Sequence, residues 1–157
     1  MIIDVSRTHV EFDINQGSCN GWHNVKVYAN NELLFDKSTE LEKVIRIAIK
    51  LPCEIRFNIT GKDILKDTKI VDNKIVEDKF VEIVGVRLAN LKIEPHVLKN
   101  LITYTEIGGK EVYTNLAHSN GDLRIKFDTT DPIQWHIIHN SNLAEWECPD
   151  TTELYHM

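Results

Sequence analysis

The sequence predicts an all-β chain, an antiparallel β-sandwich of jelly-roll type with at most one short helix. Three observations carry that expectation. Apolar residues recur at every second position in most segments that show a period, the pattern of strands with one buried and one wetted face. Pairs of turn formers, Asn30-Asn31, Asp72-Asn73 and Asn120-Gly121 among them, separate these runs at intervals of roughly 8–12 residues, as in sandwiches. Helix-like spacing occurs in one segment only, where Val97, Leu98, Leu101 and Ile102 follow Pro95.

Taken in order, "HVEFDI" places Val10, Phe12 and Ile14 on one face, and "NQGSCNG" is a polar loop. "WHNVKVYANNELLF" reads as a hairpin, because Asn30 and Asn31 tolerate the positive φ of a tight turn and Leu33 and Phe35 begin the return. "KVIRIAIKLPCEIRFNITG" gives a pair of strands, one built on Ile45, Ile47 and Ile49, the other on Ile55, Phe57 and Ile59, with Pro52 at the connection. Arg46, Ala48, Arg56 and Asn58 occupy the wetter faces. In "FVEIVGVRLANLKI" the apolar parity passes from Val81 and Ile83 to Val84, Val86 and Leu88, a shift that predicts a β-bulge beside Gly85, and Ala89-Asn90 form the next turn. "EIGGKEVYTNL" resumes strand character around a Gly-Gly turn. "NGDLRIKF" alternates Leu123, Ile125 and Phe127, and "IQWHII" is expected as a further strand on Ile133, Trp135 and Ile137. Roughly eight to ten strands result.

A chain of 157 residues fits one core, here expected over residues 1–140, with a tail over 141–157 docked on the domain or on a neighbouring subunit. The formal charge of -6 argues against a nucleic-acid partner, whose binding relies on clustered Lys and Arg. No segment has the length and apolarity of a membrane span, so no membrane partner is expected. Cys19, Cys53 and Cys148 are scattered and odd in number, and they read as reduced thiols in a protein folded in cytoplasm.

The candidate sites divide between scaffold and ligand. Asp128-Thr129-Thr130-Asp131-Pro132 lies where two alternating runs meet and reads as a corner; the competing reading makes Asp128 and Asp131 calcium ligands, although their spacing is not that of an EF-hand loop. Trp135 shares the parity of Ile133 and Ile137 and is expected in the core, with a sugar-stacking platform as its alternative. Trp22, in a polar loop beside Gly21, is the better candidate for an exposed carbohydrate platform. Trp146 and Tyr155 are the expected interface anchors of the tail. On a strand, His136 and His139 face opposite sides and do not converge on one metal, His9 and His23 have no ligand spacing, and His118 precedes a turn. Glu77, Asp78 and Glu82 read as surface charge. The GxSxG, HExxH, GxGxxG and P-loop patterns do not occur, so the expected mode of action is contact without catalysis, with no cofactor.

The stretches "VDNKIVEDKFVEIVGVRLANLKI" and "HSNGDLRIKFDTTDPIQWHI" resemble small β-sandwich proteins of tailed phages, particularly those of marine bacteria. That resemblance implies a virion component or an attached binding module rather than a catalyst. The expected role is a head decoration, neck, tail or fibre protein assembled in the host cytoplasm with other virion proteins, as a homo-oligomer that protects its sheet edges. The resemblance carries over no functional residues. The alternative function is a carbohydrate-binding module, calcium-dependent if Asp128 and Asp131 serve as ligands, with a glycan as partner.

Overall fold

The computed structural model describes residues 7–63 and 65–139, and the expected tail, with Trp146, Cys148 and Tyr155, lies outside them. Strands are numbered along the chain. β1 (Arg7–Gly17), β4 (Val44–Lys50), β8 (Phe80–Leu88), β9 (Leu91–Lys92) and β12 (Leu116–Ala117) form a five-stranded antiparallel sheet in the order β12-β8-β1-β4, with β9 on β8. β2 (Asn24–Ala29), β3 (Glu32–Lys37), β5 (Cys53–Thr60), β10 (Ile102–Glu106), β11 (Glu111–Tyr113) and β13 (Gly121–Phe127) form a six-stranded one in the order β11-β10-β13-β5-β2-β3. β6 (Thr68–Val71) and β7 (Lys74–Asp78) make a separate two-stranded ribbon.

The alternation read from the sequence places the core between the two larger sheets. Val10, Phe12 and Ile14 of β1 and Val81, Ile83, Val86 and Leu88 of β8 face inward, towards Ile55, Phe57 and Ile59 of β5 and Leu123, Ile125 and Phe127 of β13. Phe12 and Phe57 meet edge to face across the layers, with centroids 5.1 Å apart, an arrangement that brings a ring edge to a ring face.

The turns form where their residues permit positive φ. Asn30-Asn31, Asp72-Asn73 and Ala89-Asn90 all lie in the left-handed region, which Asn and Asp reach more readily than most residues do. The expected bulge is present. Asp13 pairs with Gly85 and Ile14 with Ile83, so Val84 is the extra residue and turns its side chain to solvent. Gly85 leaves room for the Asp13 carboxylate, which accepts two hydrogen bonds of 2.9 Å from Arg87. Asp13 and then Glu11 hold the Arg87 guanidinium protonated well above its ordinary range.

Two expectations need correction. Residues Pro132–His139 form a helix, α2, where alternation suggested a strand, so the domain has a second helix besides the short α1 (Pro95–Leu98). Asp131 starts α2: its Oδ1 accepts from the main-chain N–H of Ile133 at 3.0 Å and of Gln134 at 3.3 Å, and Pro132 tolerates the first helical position. The side chains turned inward, Trp135 and His136 with half-buried Pro132 and His139, follow helical spacing, while Ile133, Ile137 and Ile138 face outward. Hydropathy ran against burial there. The second correction concerns β4 and β5, which are not partners: the chain crosses between sheets at Pro52, so β4 pairs with β1 while β5 pairs with β2 and β13. The strands also exceed the expected number, because β9 and β12 have two residues each and β11 has three, too short for a period to register.

Gly121 shows how closely the six-stranded sheet is packed. A Cβ there would overlap the Thr105 carbonyl oxygen and approach Glu106 Cα, main-chain atoms that cannot swing aside. Gly121→Ala is therefore expected to lower stability by roughly 1–3 kcal/mol, as overpacking does, read as a lower urea midpoint with an unchanged slope.

Candidate functional site

One inward parity leaves the other on display. On the outer face of the six-stranded sheet, cross-strand pairing aligns Tyr113, Thr103, Arg124, Arg56, Tyr28 and Leu33 in one row. The next row is Glu111, Thr105, Asp122, Asn58, Lys26 and Asp36. From Tyr28 to Tyr113 the row crosses four interstrand steps, on the order of 19 Å at the usual strand spacing.

Asp122 organises the middle of this face. Its Oδ1 accepts from Asn58 Nδ2 at 2.8 Å, its Oδ2 accepts from Arg124 Nη2 at 2.9 Å, and Arg56 lies 3.8 Å away. Arg56 also covers the Tyr28 ring, with its guanidinium carbon 4.1 Å from the centroid, a cation–π contact that occupies one face of that ring. Tyr113 is 69% exposed. It borders a cleft of about 270 Å³ with Thr103, Arg124, Glu54, Glu111 and Lys126. Opposite charges balance across the strands, Lys126 standing against Glu54 and Lys26 against Asp36.

A second constellation lies where the loops after β1 and β5 meet the root of the ribbon. Lys62, whose side chain is 3% exposed, donates from Nζ to Asp78 at 2.7 Å and to the His118 carbonyl at 2.5 Å. Lys79 donates to the Gly61 carbonyl at 2.9 Å and to Asp67 at 3.1 Å. Asp67 also accepts from the Asp63 main-chain N–H at 2.8 Å and from Asn20 at 3.2 Å. The Asp63 main-chain bond, ahead of those from Lys79 and Asn20, brings the Asp67 carboxyl to about 2 against an opposing pull from burial. Burial raises the Asp78 carboxyl, but hydrogen bonds from Lys62 and Thr68 outweigh it and leave a net lowering. Fully buried His23 contacts the Thr60 carbonyl through Nδ1 at 3.0 Å. Its pKa is lowered chiefly by burial and further by Lys79 and Lys62, while the Thr60 and Lys79 carbonyls pull the other way.

The structure separates the residues singled out from sequence. Asp128 and Asp131 are exposed, and Asp131 is engaged in capping α2; among the described residues no three His, Cys, Asp or Glu side chains are grouped to hold a metal ion. Trp135 is 1% exposed and packs edge-on against Phe127 at 5.2 Å, so it belongs to the core and offers no sugar platform. Trp22 is half-buried in the loop before β2. His136, which the helix turns inward, bonds the Leu88 carbonyl at 2.8 Å, and His139 lies against Trp135 at 4.7 Å. Cys19 and Cys53 are buried free thiols, and burial, ahead of the Glu54 charge, pushes the Cys53 thiol pKa up. Glu77 is exposed as expected, and Glu82 accepts from Asn15 at 3.1 Å. Asp78, expected as surface charge, instead anchors a buried lysine. Sequence reasoning missed Lys62 and Lys79, because lysine is almost never buried unless paired and no local pattern announces the pair. It also missed Tyr113, whose neighbours are set by long-range register.

No family model and no curated protein matches the sequence. Two solved structures are similar in shape. One is a selenomethionine form of vCBM60, from work on a circular permutation linking two families of calcium-dependent carbohydrate binding modules; it is 14% identical with a TM-score of 0.50, over 76% of this chain and 90% of that one. The other, vCBM60 in complex with galactobiose, is 12% identical with a TM-score of 0.48, over 75% of this chain and 97% of that one. The likeness is one of fold. It agrees with the antiparallel sandwich expected from the alternation.

The loop-end network predicts two acid windows. Below pH 6.5 the unfolded chain takes up a proton at His23 more readily than the folded chain, so stability falls as pH drops, and His23→Gln flattens this slope. Asp67, with its pKa lowered from 3.8 to about 2, stabilises fully above pH 3.8 and loses that contribution as pH falls through about 2; Asp67→Asn flattens this second slope. Urea titrations across pH measure both, and a wild-type profile flat in both windows contradicts the network.

Proposed function

We propose that this chain is a non-catalytic carbohydrate-binding β-sandwich module whose ligand lies on the outer face of the six-stranded sheet. The observation that carries the reading is the cleft beside Tyr113, where an exposed aromatic ring stands next to planar hydrogen-bonding groups on a rigid sheet. A sugar ring presents an apolar C–H face, which stacks on an aromatic ring, and hydroxyls that both donate and accept. Glu54 and Glu111 accept, while Arg124 and Lys126 donate. The balance of acidic and basic groups suits a neutral polyhydroxylated ligand better than a polyanion. The selenomethionine vCBM60 structure of similar shape is named as a carbohydrate binding module, in agreement with this reading.

Tyr113→Ala tests it. On a panel of neutral oligosaccharides, the wild-type chain is expected to bind at least one, and the variant to lose affinity by about tenfold or more with its melting temperature little changed. Trp22→Ala should leave that affinity unaltered. Wild-type protein that binds no glycan, or a Tyr113→Ala variant that binds as well as the parent, contradicts the assignment.

A second reading makes the chain a structural subunit of a tailed-phage particle, as the resemblance of its C-terminal strands implies. The ribbon of β6 and β7 favours it, since Ile70, Val71, Ile75 and Val76 are exposed on a two-stranded element that is marginal by itself in water. On this reading, Ile70→Lys with Ile75→Lys removes the protein from purified particles of a phage encoding it, while the isolated domain melts as before. Undiminished incorporation contradicts it.

A further inference from the structure

An unpaired sheet edge is a template for another strand. Among the described residues β3 ends the six-stranded sheet, and Leu33, Leu34 and Phe35 place three consecutive apolar residues along it, with Leu33 and Leu34 exposed. Its sequence, Glu32-Leu33-Leu34-Phe35-Asp36-Lys37, complements its own reverse. Laid antiparallel about the Leu34–Phe35 midpoint, Glu32 falls opposite Lys37 of a second copy, Leu33 opposite Asp36, and Leu34 opposite Phe35.

In a regular strand a two-fold dimer cannot use that register. The axis stands perpendicular to the sheet and preserves its faces, so opposed residues must share a face, whereas sequence neighbours such as 34 and 35 lie on opposite ones. The bulge in β3 removes the conflict. Val27 pairs with Phe35 and Tyr28 with Leu33, which leaves Leu34 as the extra residue. Glu32, Phe35 and Lys37 stand opposite Ala29, Val27 and Val25, which face the core, and Leu34 lines the seam between the sheets with Ala48 and Ile49. Leu33 and Asp36 stand opposite Tyr28 and Lys26 on the outer face. Every opposed pair then shares a face.

We propose that a second copy of this chain docks along β3, joining two six-stranded sheets edge to edge in a two-fold dimer closed at each end by a Glu32–Lys37 ion pair. Charge complementarity selects this occupant. β4, which ends the other sheet among the described residues, lacks it: its charged residues, Arg46 and Lys50, are both basic, so a second copy of β4 offers them no acidic partner. A bulge ordinarily guards an edge against casual pairing, and here it admits one register. The dimer requires no glycan, and its test is separate from that of the Tyr113 cleft.

Light scattering and sedimentation of the full chain decide the matter. The wild type is expected to be a dimer that weakens as salt is raised. Glu32→Lys and Lys37→Glu each turn two attractive pairs into repulsive ones and are expected to weaken association about tenfold. The double exchange, Glu32→Lys with Lys37→Glu, restores it, and Leu34→Lys abolishes it. Circular dichroism melts confirm that each variant is folded. A monomeric wild type, a dimer indifferent to both single exchanges, or a double exchange that fails to recover overturns the proposal.

Discussion

Phe12 of one sheet meets Phe57 of the other edge to face at the centre of the sandwich, and the rest of the molecule follows from the seam they close. Once Phe12 faces inward, so must Val10 and Ile14; once Phe57 does, so must Ile55 and Ile59. Hydrogen-bonded register carries the same choice to β13 and β2. The outer face of the six-stranded sheet is thus whatever the core leaves over. Arg56, Asn58, Asp122 and Arg124 are rigidly spaced because their sequence neighbours are packed between the sheets, which gives a ligand-facing surface a firm backing.

Bulges adjust this scheme where strict alternation would fail. At Val84 an extra residue lets Ile83 and Val86 both face the core and leaves Gly85 beside the Asp13 carboxylate held by Arg87. At Leu34 an extra residue puts Leu34 and Phe35 of an edge strand on the same side and leaves Leu33 on the other. The device is the same, and its location decides what it does: inside a sheet it preserves packing, and at an edge it alters what the strand can meet.

Much of this organisation is legible in the sequence, for reasons that also show where legibility ends. Strands with one wet face advertise themselves, and so do turns that need positive φ, because both impose local demands on residue type. The helix at Pro132–His139 was hidden because its isoleucines face outward while Trp135 and His136 turn inward; the Asp131-Pro132 start was its only local sign. The separation of β4 from β5 was hidden because adjacent strands in sequence need not share a sheet. Tyr113 has no distinguishing sequence context: pairing with Thr103, together with the register of β13 and β5, brings Arg124, Lys126 and Glu54 to its cleft. Asp78 was misjudged for a related reason: its partner Lys62 arrives from a different loop.

Lys62 and Lys79 fasten three loops by placing ammonium groups among carboxylate and carbonyl oxygens, a task many proteins assign to a dissolved divalent ion. An ion bound from solution exchanges with its surroundings, and its occupancy follows how hard or soft the water is. A charge at the end of a covalent stem stays at full local strength at any dilution and in the presence of any chelator. This end of the molecule therefore brings its own mineral.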